Sequence, residues 1–348
     1  MIACAALFLC AAPNASAQCR ERFEGRSLHW IVPYPIGGGY GTYSRLLAPF
    51  LSDALGADVS VENMPSAGGT VGARAIMDAA PDGRTVGIVN VSGLLVAAQT
   101  GMRDVPDPTR DFTILASITD SRQVWATSAH SGFQDMDEVV AASDRGHVLF
   151  GVRDLGTSGF VNIVAATELL GLNFDVVAGY GGTADSSLGA IRGEVDLIVN
   201  NFESLVQWIE SGDLRPILQI SDARISPHPS LEGVPTLGGD DGWAALRARE
   251  LGRPVDAARA DASALAALIR GARLVVGPRG LDESLAACLR EAVAAALKDS
   301  HLQEQAKTAG LEIRPGDADA ALAATLAAAE AMHRFAPLVR EAAARFSQ

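Results

Sequence analysis

Three glycine-rich turns, each set between a strand-like run and a helix-like one, constrain this chain more than any other feature. They read Tyr34-Pro35-Ile36-Gly37-Gly38-Gly39-Tyr40, Pro65-Ser66-Ala67-Gly68-Gly69-Thr70 and Gly179-Tyr180-Gly181-Gly182-Thr183. Glycine lets the backbone turn where other residues are strained and leaves its N–H groups uncovered. A helix beginning at such a turn adds unpaired N–H donors and a partial positive charge. Several of these turns facing one cleft can hold a small anion without a basic side chain. The pattern therefore predicts an anion-binding protein built on alternating strands and helices.

The alternation runs from Leu28 to Val199 and indicates an α/β fold. Leu28–Val32 reads as a strand entering the first turn. The helix after it carries Leu46, Leu47, Phe50, Leu51, Ala54 and Leu55 on one stripe and ends at Gly56, with Pro49 inside it. Val59–Val61 is the next strand, Thr70–Ala80 a helix, and Thr85–Val89 a strand that delivers Asn90, Val91 and Ser92 to its carboxyl end. Ligands gather at such strand ends in open α/β sheets. Ser92 there is either a ligand group or a helix cap. A second set of units begins near Gln123. Val148–Phe150 leads into Gly156-Thr157-Ser158, Asp175–Val177 into the third glycine turn, and Val195–Val199 into Asn200. Leu214–Ile220 contains Pro216, which suits an edge strand. Beyond Ser221 the chain is loop-rich to Gly242, then alanine-rich and helical, and these helices are expected to pack on the first domain.

The 348 residues suffice for two domains, and a net charge of −13 argues against nucleic acid or anionic membrane as partner. Ile2–Ala12 is apolar and Ala15-Ser16-Ala17 fits a cleavage site, so export with residues 1–17 as a signal peptide is expected. No basic residue precedes the apolar run, which points to a start further upstream. Of the four cysteines, Cys19 and Cys288 remain after cleavage. A disulfide between them is compatible with an oxidising compartment, although the apolar neighbours of Cys288 favour a buried helix thiol.

The turns also carry a family resemblance. Val32-Pro33-Tyr34-Pro35 with Gly37-Gly38-Gly39, Arg45-Leu46-Leu47-Ala48, Val61-Glu62-Asn63-Met64-Pro65-Ser66-Ala67-Gly68-Gly69, Pro81-Asp82-Gly83-Arg84-Thr85, Gly193-Glu194-Val195-Asp196 and Val234-Pro235-Thr236 stand in the order of one family's markers. The chain resembles the substrate-binding receptors of the tripartite tricarboxylate transporter family, also called Bug proteins. The resemblance implies a two-domain periplasmic binding protein of the Venus-flytrap type. Crossovers are expected near Ser121–Thr127 and Ser221–His228, so that 26–124 with 227–348 form one domain and 125–226 the other. It also implies a carboxylate held by backbone donors and water, a monomer in the periplasm, and delivery to membrane permease subunits or, alternatively, to a sensor kinase.

The site expected from both lines of reasoning comprises Tyr34, Gly37, Gly38, Gly39, Ser66, Ala67, Gly68, Gly69, Asn90 and Ser92 on one side. Gly156, Thr157, Ser158, Tyr180, Gly181, Gly182, Thr183 and Asn200 stand on the other. Tyr34 and Tyr180 either wall the ligand or pack over the turns. Arg153 is expected to form a local ion pair more than a ligand contact, and Asp196 to bond backbone donors. Two positions depart from the family's pattern, Gly41 and Asn200, where acids are common. Their neutrality suggests a ligand without an ammonium group, against a reading of neutral drift.

An enzyme is not expected. The six histidines are scattered, no G-x-S-x-G or P-loop lysine occurs, and Gly37–Gly41 fails the dinucleotide spacing. No metal or organic cofactor is required for capture and closure.

Overall fold

The computed structural model describes residues 15–347 except 37, 225–227 and 272. Its strands form two five-stranded sheets. The first takes the order β2-β1-β3-β10-β4, from β1 (Ser27–Val32), β2 (Asp58–Asn63), β3 (Thr85–Asn90), β4 (Phe112–Ser117) and β10 (Arg273–Pro278). The second takes the order β7-β6-β8-β5-β9, from β5 (Gln123–Ser128), β6 (Val148–Val152), β7 (Phe174–Ala178), β8 (Leu197–Asn201) and β9 (Leu214–Gln219). The helices of the first half are α1 (Ala15–Phe23), α2 (Gly39–Leu55), α3 (Thr70–Met77) and α4 (Val91–Gln99). Those of the second are α5 (Met136–Arg145), α6 (Ser158–Leu170), α7 (Thr183–Ile191) and α8 (Val206–Glu210). The tail adds α9 (Trp243–Glu250), α10 (Val255–Arg270), α11 (Glu283–Lys298), α12 (Ser300–Thr308) and α13 (Ala318–Phe346).

The two sheets share a plan. In each, three strands run parallel, joined by helices, as the strand–turn–helix alternation predicts. A fourth strand runs antiparallel to them, β10 beside β3 and β5 beside β8. Both antiparallel strands arrive from the other half of the chain. The register sets Arg273 against Asn90 and Gln123 against Asn201, so each incoming strand begins beside the carboxyl end of a parallel neighbour.

Local signals hold well. Gly56 ends α2 in the left-handed conformation (φ 65°), returning its N–H to Ser52 O. The Trp30 indole on β1 is fully buried and donates to Ser44 Oγ (2.8 Å), which donates to Tyr40 O (2.8 Å), pinning α2 on the sheet. Pro49 stays within α2. Pro216 lies on β9, an edge strand, where the ladder shifts register.

Two features depart from expectation, the strand β10 and the disulfide. Arg273–Pro278 is a fully buried central strand inside a region read as helical. The first change of sheet falls between β4 and β5, near Ser121. The chain re-enters the first sheet only at β10, and the expected return at 221–228 includes residues outside those described. Ahead of β10, α9 and α10 pack on α6, while α13 touches α4, α6, α10 and β4, so the tail helices cover both halves. Finally, Cys19 and Cys288 are joined (Cα–Cα 5.2 Å), tying α1 to α11. The apolar setting of Cys288 is real, but α1 brings Cys19 into the same pocket, both sulfurs being buried. Residues 1–14 of the expected leader lie outside the described residues, and 15–17 open α1.

Candidate functional site

The carboxyl ends of the parallel strands of both sheets face a cleft of about 730 Å³. β1 delivers Tyr34, Gly38 and Gly39, and β3 delivers Asn90. From the opposite side β6 delivers Gly156, Thr157 and Ser158, β7 delivers Gly181, Gly182 and Thr183, and β8 delivers Asn200. Gly68 joins them. Gly37 lies outside the described residues.

Two helix starts open on the cavity without a side-chain cap, that of α2 at Gly38 and that of α7 at Gly182. Uncapped first turns present N–H groups that an anion can satisfy. The two starts stand on opposite sides of the cleft, one beyond each sheet. The starts of α4 and α6 at the cleft are engaged. Thr157 caps α6, its hydroxyl accepting from Phe160 N (3.4 Å), and Asn90 caps α4, its Oδ1 accepting from Gly93 N (3.1 Å). At the third turn Gly181 N donates to Asp185 Oδ2 (2.8 Å), so that N–H is already satisfied.

Several predicted residues support the wall, and of these only Tyr34 lines the cavity. Ser92 is neither a cleft group nor the cap. Its hydroxyl is fully buried and donates to Leu268 O, because α4 begins at Val91 and turns position 92 toward α10. Ser66 Oγ accepts from Val71 N (3.0 Å) at the start of α3. Ala67 lies in the short Ala67–Gly69 turn. Gly69 adopts φ 74°, and a Cβ there would fall 2.8 Å from Tyr34 Cε1. It is the floor under Tyr34. The Tyr34 hydroxyl accepts from Asn90 N (3.1 Å) and its ring packs 4.3 Å from that of Tyr40, so Tyr34 walls the cleft with its ring. Burial raises its pKa well above the usual phenol range. Tyr180 packs over Gly151 and Gly189, and its hydroxyl donates to Glu194 Oε2 (3.3 Å); it supports the turn from behind.

Asn200 is a genuine cleft group. Its Oδ1 accepts from Thr183 Oγ1 (3.1 Å) and its Nδ2 donates to Ser186 Oγ (3.2 Å). Gly41 is not among the lining residues. It is buried in α2, and a Cβ there would point at Arg45 Nη2, 3.0 Å away. Arg153 pairs with Asp154 (3.1 Å), and Asp196 Oδ2 accepts from Leu149 N (2.8 Å), both as expected.

The sequence reading missed Gln123, Asp185, Glu203, Ser204, Trp208 and Leu311, all of which line the cavity. Gln123 is buried, donates to Ser158 Oγ (2.9 Å) and accepts from Asn162 Nδ2 (2.8 Å). Asn162 Oδ1 in turn accepts from the Trp125 indole (2.9 Å). The signal that locates Gln123 is its place as first residue of the incoming strand β5. Glu203 accepts from Arg122 Nη2 (2.7 Å), and Arg122 also pairs with Glu312, so one guanidinium on the crossing segment holds carboxylates of both halves. Among the described residues no cluster of His, Cys, Asp or Glu suits a metal ion.

A family model described as the tripartite tricarboxylate transporter family receptor matches residues 43–249. BugT of Bordetella pertussis (strain Tohama I) is 26% identical over 244 residues, which cover 68% of this chain and 74% of that protein. A UPF0065 protein from the tcbD–tcbE intergenic region of Pseudomonas sp. (strain P51) is 27% identical over 227 residues, 64% of this chain and 66% of that protein. The chain thus spans about two thirds of the length of these curated relatives. Among solved structures, the periplasmic binding protein BugD superposes with a TM-score of 0.71 at 21% identity, covering 91% of this chain and 98% of that one. MatC from Rhodopseudomonas palustris, with malate bound, gives 0.69 at 23%, covering 91% and 100%. An R. palustris protein with adipate bound gives 0.70 at 20%, covering 92% and 98%. At these identities the likeness establishes the fold, the two-domain α/β periplasmic binding fold that the sequence predicts.

Proposed function

The chain belongs to the tripartite tricarboxylate transporter receptor family, a family of solute-binding receptors and not of enzymes, and from that premise we propose that it captures a small carboxylic acid in the cleft between its two sheets. The observation that carries this reading is the pair of uncapped helix starts, α2 and α7, opening on one cavity from opposite sides. A carboxylate seated at either start meets N–H donors and the positive end of the helix dipole. The lining adds neutral polar groups, Gln123, Thr157, Ser158, Thr183 and Asn200, as donors and acceptors, while its charged members are engaged locally, Arg153 by Asp154, Asp185 by Gly181 N and Glu203 by Arg122. A cavity of this size holds a four- to six-carbon acid with bridging water.

Binding stabilises the closed arrangement by contacts made only when both sets of turns reach the ligand. The crossing segment around Ser121 and the re-entry at β10 lie side by side, Ile118 N donating to Arg273 O (2.9 Å), and act as the hinge. The closed surface is what the membrane permease subunits recognise, with the protein acting as a monomer in the periplasm. Among the described residues no helix is long and apolar enough to cross a membrane.

The test is a thermal-shift and calorimetric screen against malate, adipate, citrate, aromatic acids and amino acids. A ligand at about 100 times its Kd stabilises by about 2.7 kcal/mol, a shift of several degrees. No response to any acid overturns the reading.

A further inference from the structure

We propose that Arg273 is a buried cation that selects the ligand's carboxylate at the α2 end of the cleft, acting through the gap that Gly39 leaves in the wall. The inference rests on the carboxylate reading above and adds a specificity-determining side chain to it.

Arg273 is 1% exposed, and its Nε and Nη1 have no hydrogen-bond partner. Its guanidinium carbon lies 5.3 Å from the ring centre of Tyr40 and 5.0 Å from that of Tyr43. The negative faces of those rings attract it. Glu203 acts on it electrostatically but makes no ion pair with it, its Oε1 being held by Arg122 while its buried Oε2 has no hydrogen-bond partner. An arginine stays protonated throughout the accessible pH range, so the charge cannot be relieved by losing a proton. A buried charge of this kind is costly unless something pairs with it.

The direction in which it is open is toward the ligand site. A Cβ built on Gly39 would meet only Ser204 Oγ at 3.6 Å and Arg273 Nη2 at 3.9 Å. Gly39, Tyr40 and Ser204 all line the cavity, and Gly39 opens α2. A carboxylate on the uncapped start of α2 therefore has the guanidinium behind Gly39, which carries no side chain to screen it.

The arrangement of the sheets gives a second argument. Arg273 begins β10 opposite Asn90, as Gln123 begins β5 opposite Asn201. Gln123 lines the cavity and hydrogen-bonds Ser158 at the start of α6. The two incoming strands thus place one long polar side chain each beside a helix start, a neutral one in the second sheet and a cationic one in the first. A ligand that seats a carboxylate at the α2 end and a polar or second acidic group at the α6 end matches that asymmetry.

The experiment is calorimetric titration of the full chain with malate and adipate, and with a neutral diamide of matched length, in wild type, Arg273→Met, Arg273→Lys and Gly39→Ala. Losing a charged hydrogen-bond partner predicts about 10- to 100-fold weaker binding of the dicarboxylates by Arg273→Met, with diamide binding unchanged. Arg273→Lys recovers part of the loss. Gly39→Ala keeps the backbone N–H and meets only ordinary contacts, so it folds, and it weakens the same ligands by screening the cation. The ligand-free melting temperature of Arg273→Met stays level or rises, since an unpaired charge has been removed. Wild-type affinity in both Arg273→Met and Gly39→Ala overturns the inference, as does a fall in ligand-free stability of Arg273→Met with Gly39→Ala binding normally. Failure of the wild-type chain to bind any carboxylate overturns the proposed function and this inference with it.

Discussion

Replacing Asn200 with Asp puts a negative charge into the cleft at the end of β8 while changing little else. The Asp oxygens can accept from the hydroxyls of Thr183 and Ser186, which already surround the amide. A sphere with the volume of the cavity has a radius of about 6 Å, which sets the separation between the wall and a ligand charge near the centre. Two like charges at about 6 Å repel by about 3 kcal/mol at an effective dielectric of about 20, and by about 1.5 kcal/mol at twice that value. Asn200→Asp should therefore weaken a bound carboxylate about 10- to 100-fold at low salt. The effect should shrink as ionic strength rises. Gly41→Asp is the internal control. An acid at 41 stands four residues before Arg45 on α2, and a Cβ there already points at the Arg45 guanidinium. The new charge is neutralised in place, away from the cavity. Calorimetric titration with the tightest acid found for wild type gives the answer. Equal losses in the two variants, or none in Asn200→Asp, would refute the reasoning that separates them.

Other expectations follow from single contacts. Reducing the Cys19–Cys288 bond, or replacing both with Ser, releases a constraint spanning 269 residues. Chain entropy sets about 5 kcal/mol as the ceiling and about 2–4 as the usual outcome, so the melting temperature should fall by about 3–6 °C; an unchanged melt with reductant means the bond contributes nothing. Gly69→Ala forces a left-handed backbone and drives a methyl into the Tyr34 ring, whereas Gly101→Ala (φ 80°) meets nothing within 4 Å. Denaturant titration should show Gly69→Ala worse than Gly101→Ala by about 1–3 kcal/mol, and parity would show that the ring yields freely. Burial pushes Tyr40 and Tyr43 up to about 12. Their contribution is fully present below the ordinary phenol value near pH 10 and is lost as pH rises through about 12, so phenolate absorbance that titrates normally would contradict their burial. Trp208 lines the cleft, so ligand binding should change the intrinsic fluorescence and Trp208→Phe should remove most of that change.

Much of this protein is written in short-range pattern. The β1 strand, the stripe of α2 with its Gly56 stop, the turns at Gly38–Gly39 and Gly181–Gly182, and the edge strand bearing Pro216 follow from spacing and backbone freedom, which a residue and its near neighbours decide. Family membership was legible for the same reason, since it resides in the order of those turns. What tertiary structure decided is every property that depends on two distant segments meeting. The apolar run of β10, Arg273–Pro278, does not announce itself among alanine-rich helices, and becomes a strand because β3 and β4 leave a slot between them. Ser92 and Asn90 are two residues apart, yet one faces α10 and the other the cavity, because α4 begins between them. Cys19 meets Cys288 only because α1 packs on α11. Gln123 and Arg273 are ordinary residues in sequence. The crossing of the chain between sheets makes each the first residue of an incoming strand, and burial at that end leaves the Nε and Nη1 of an ordinary arginine without hydrogen-bond partners.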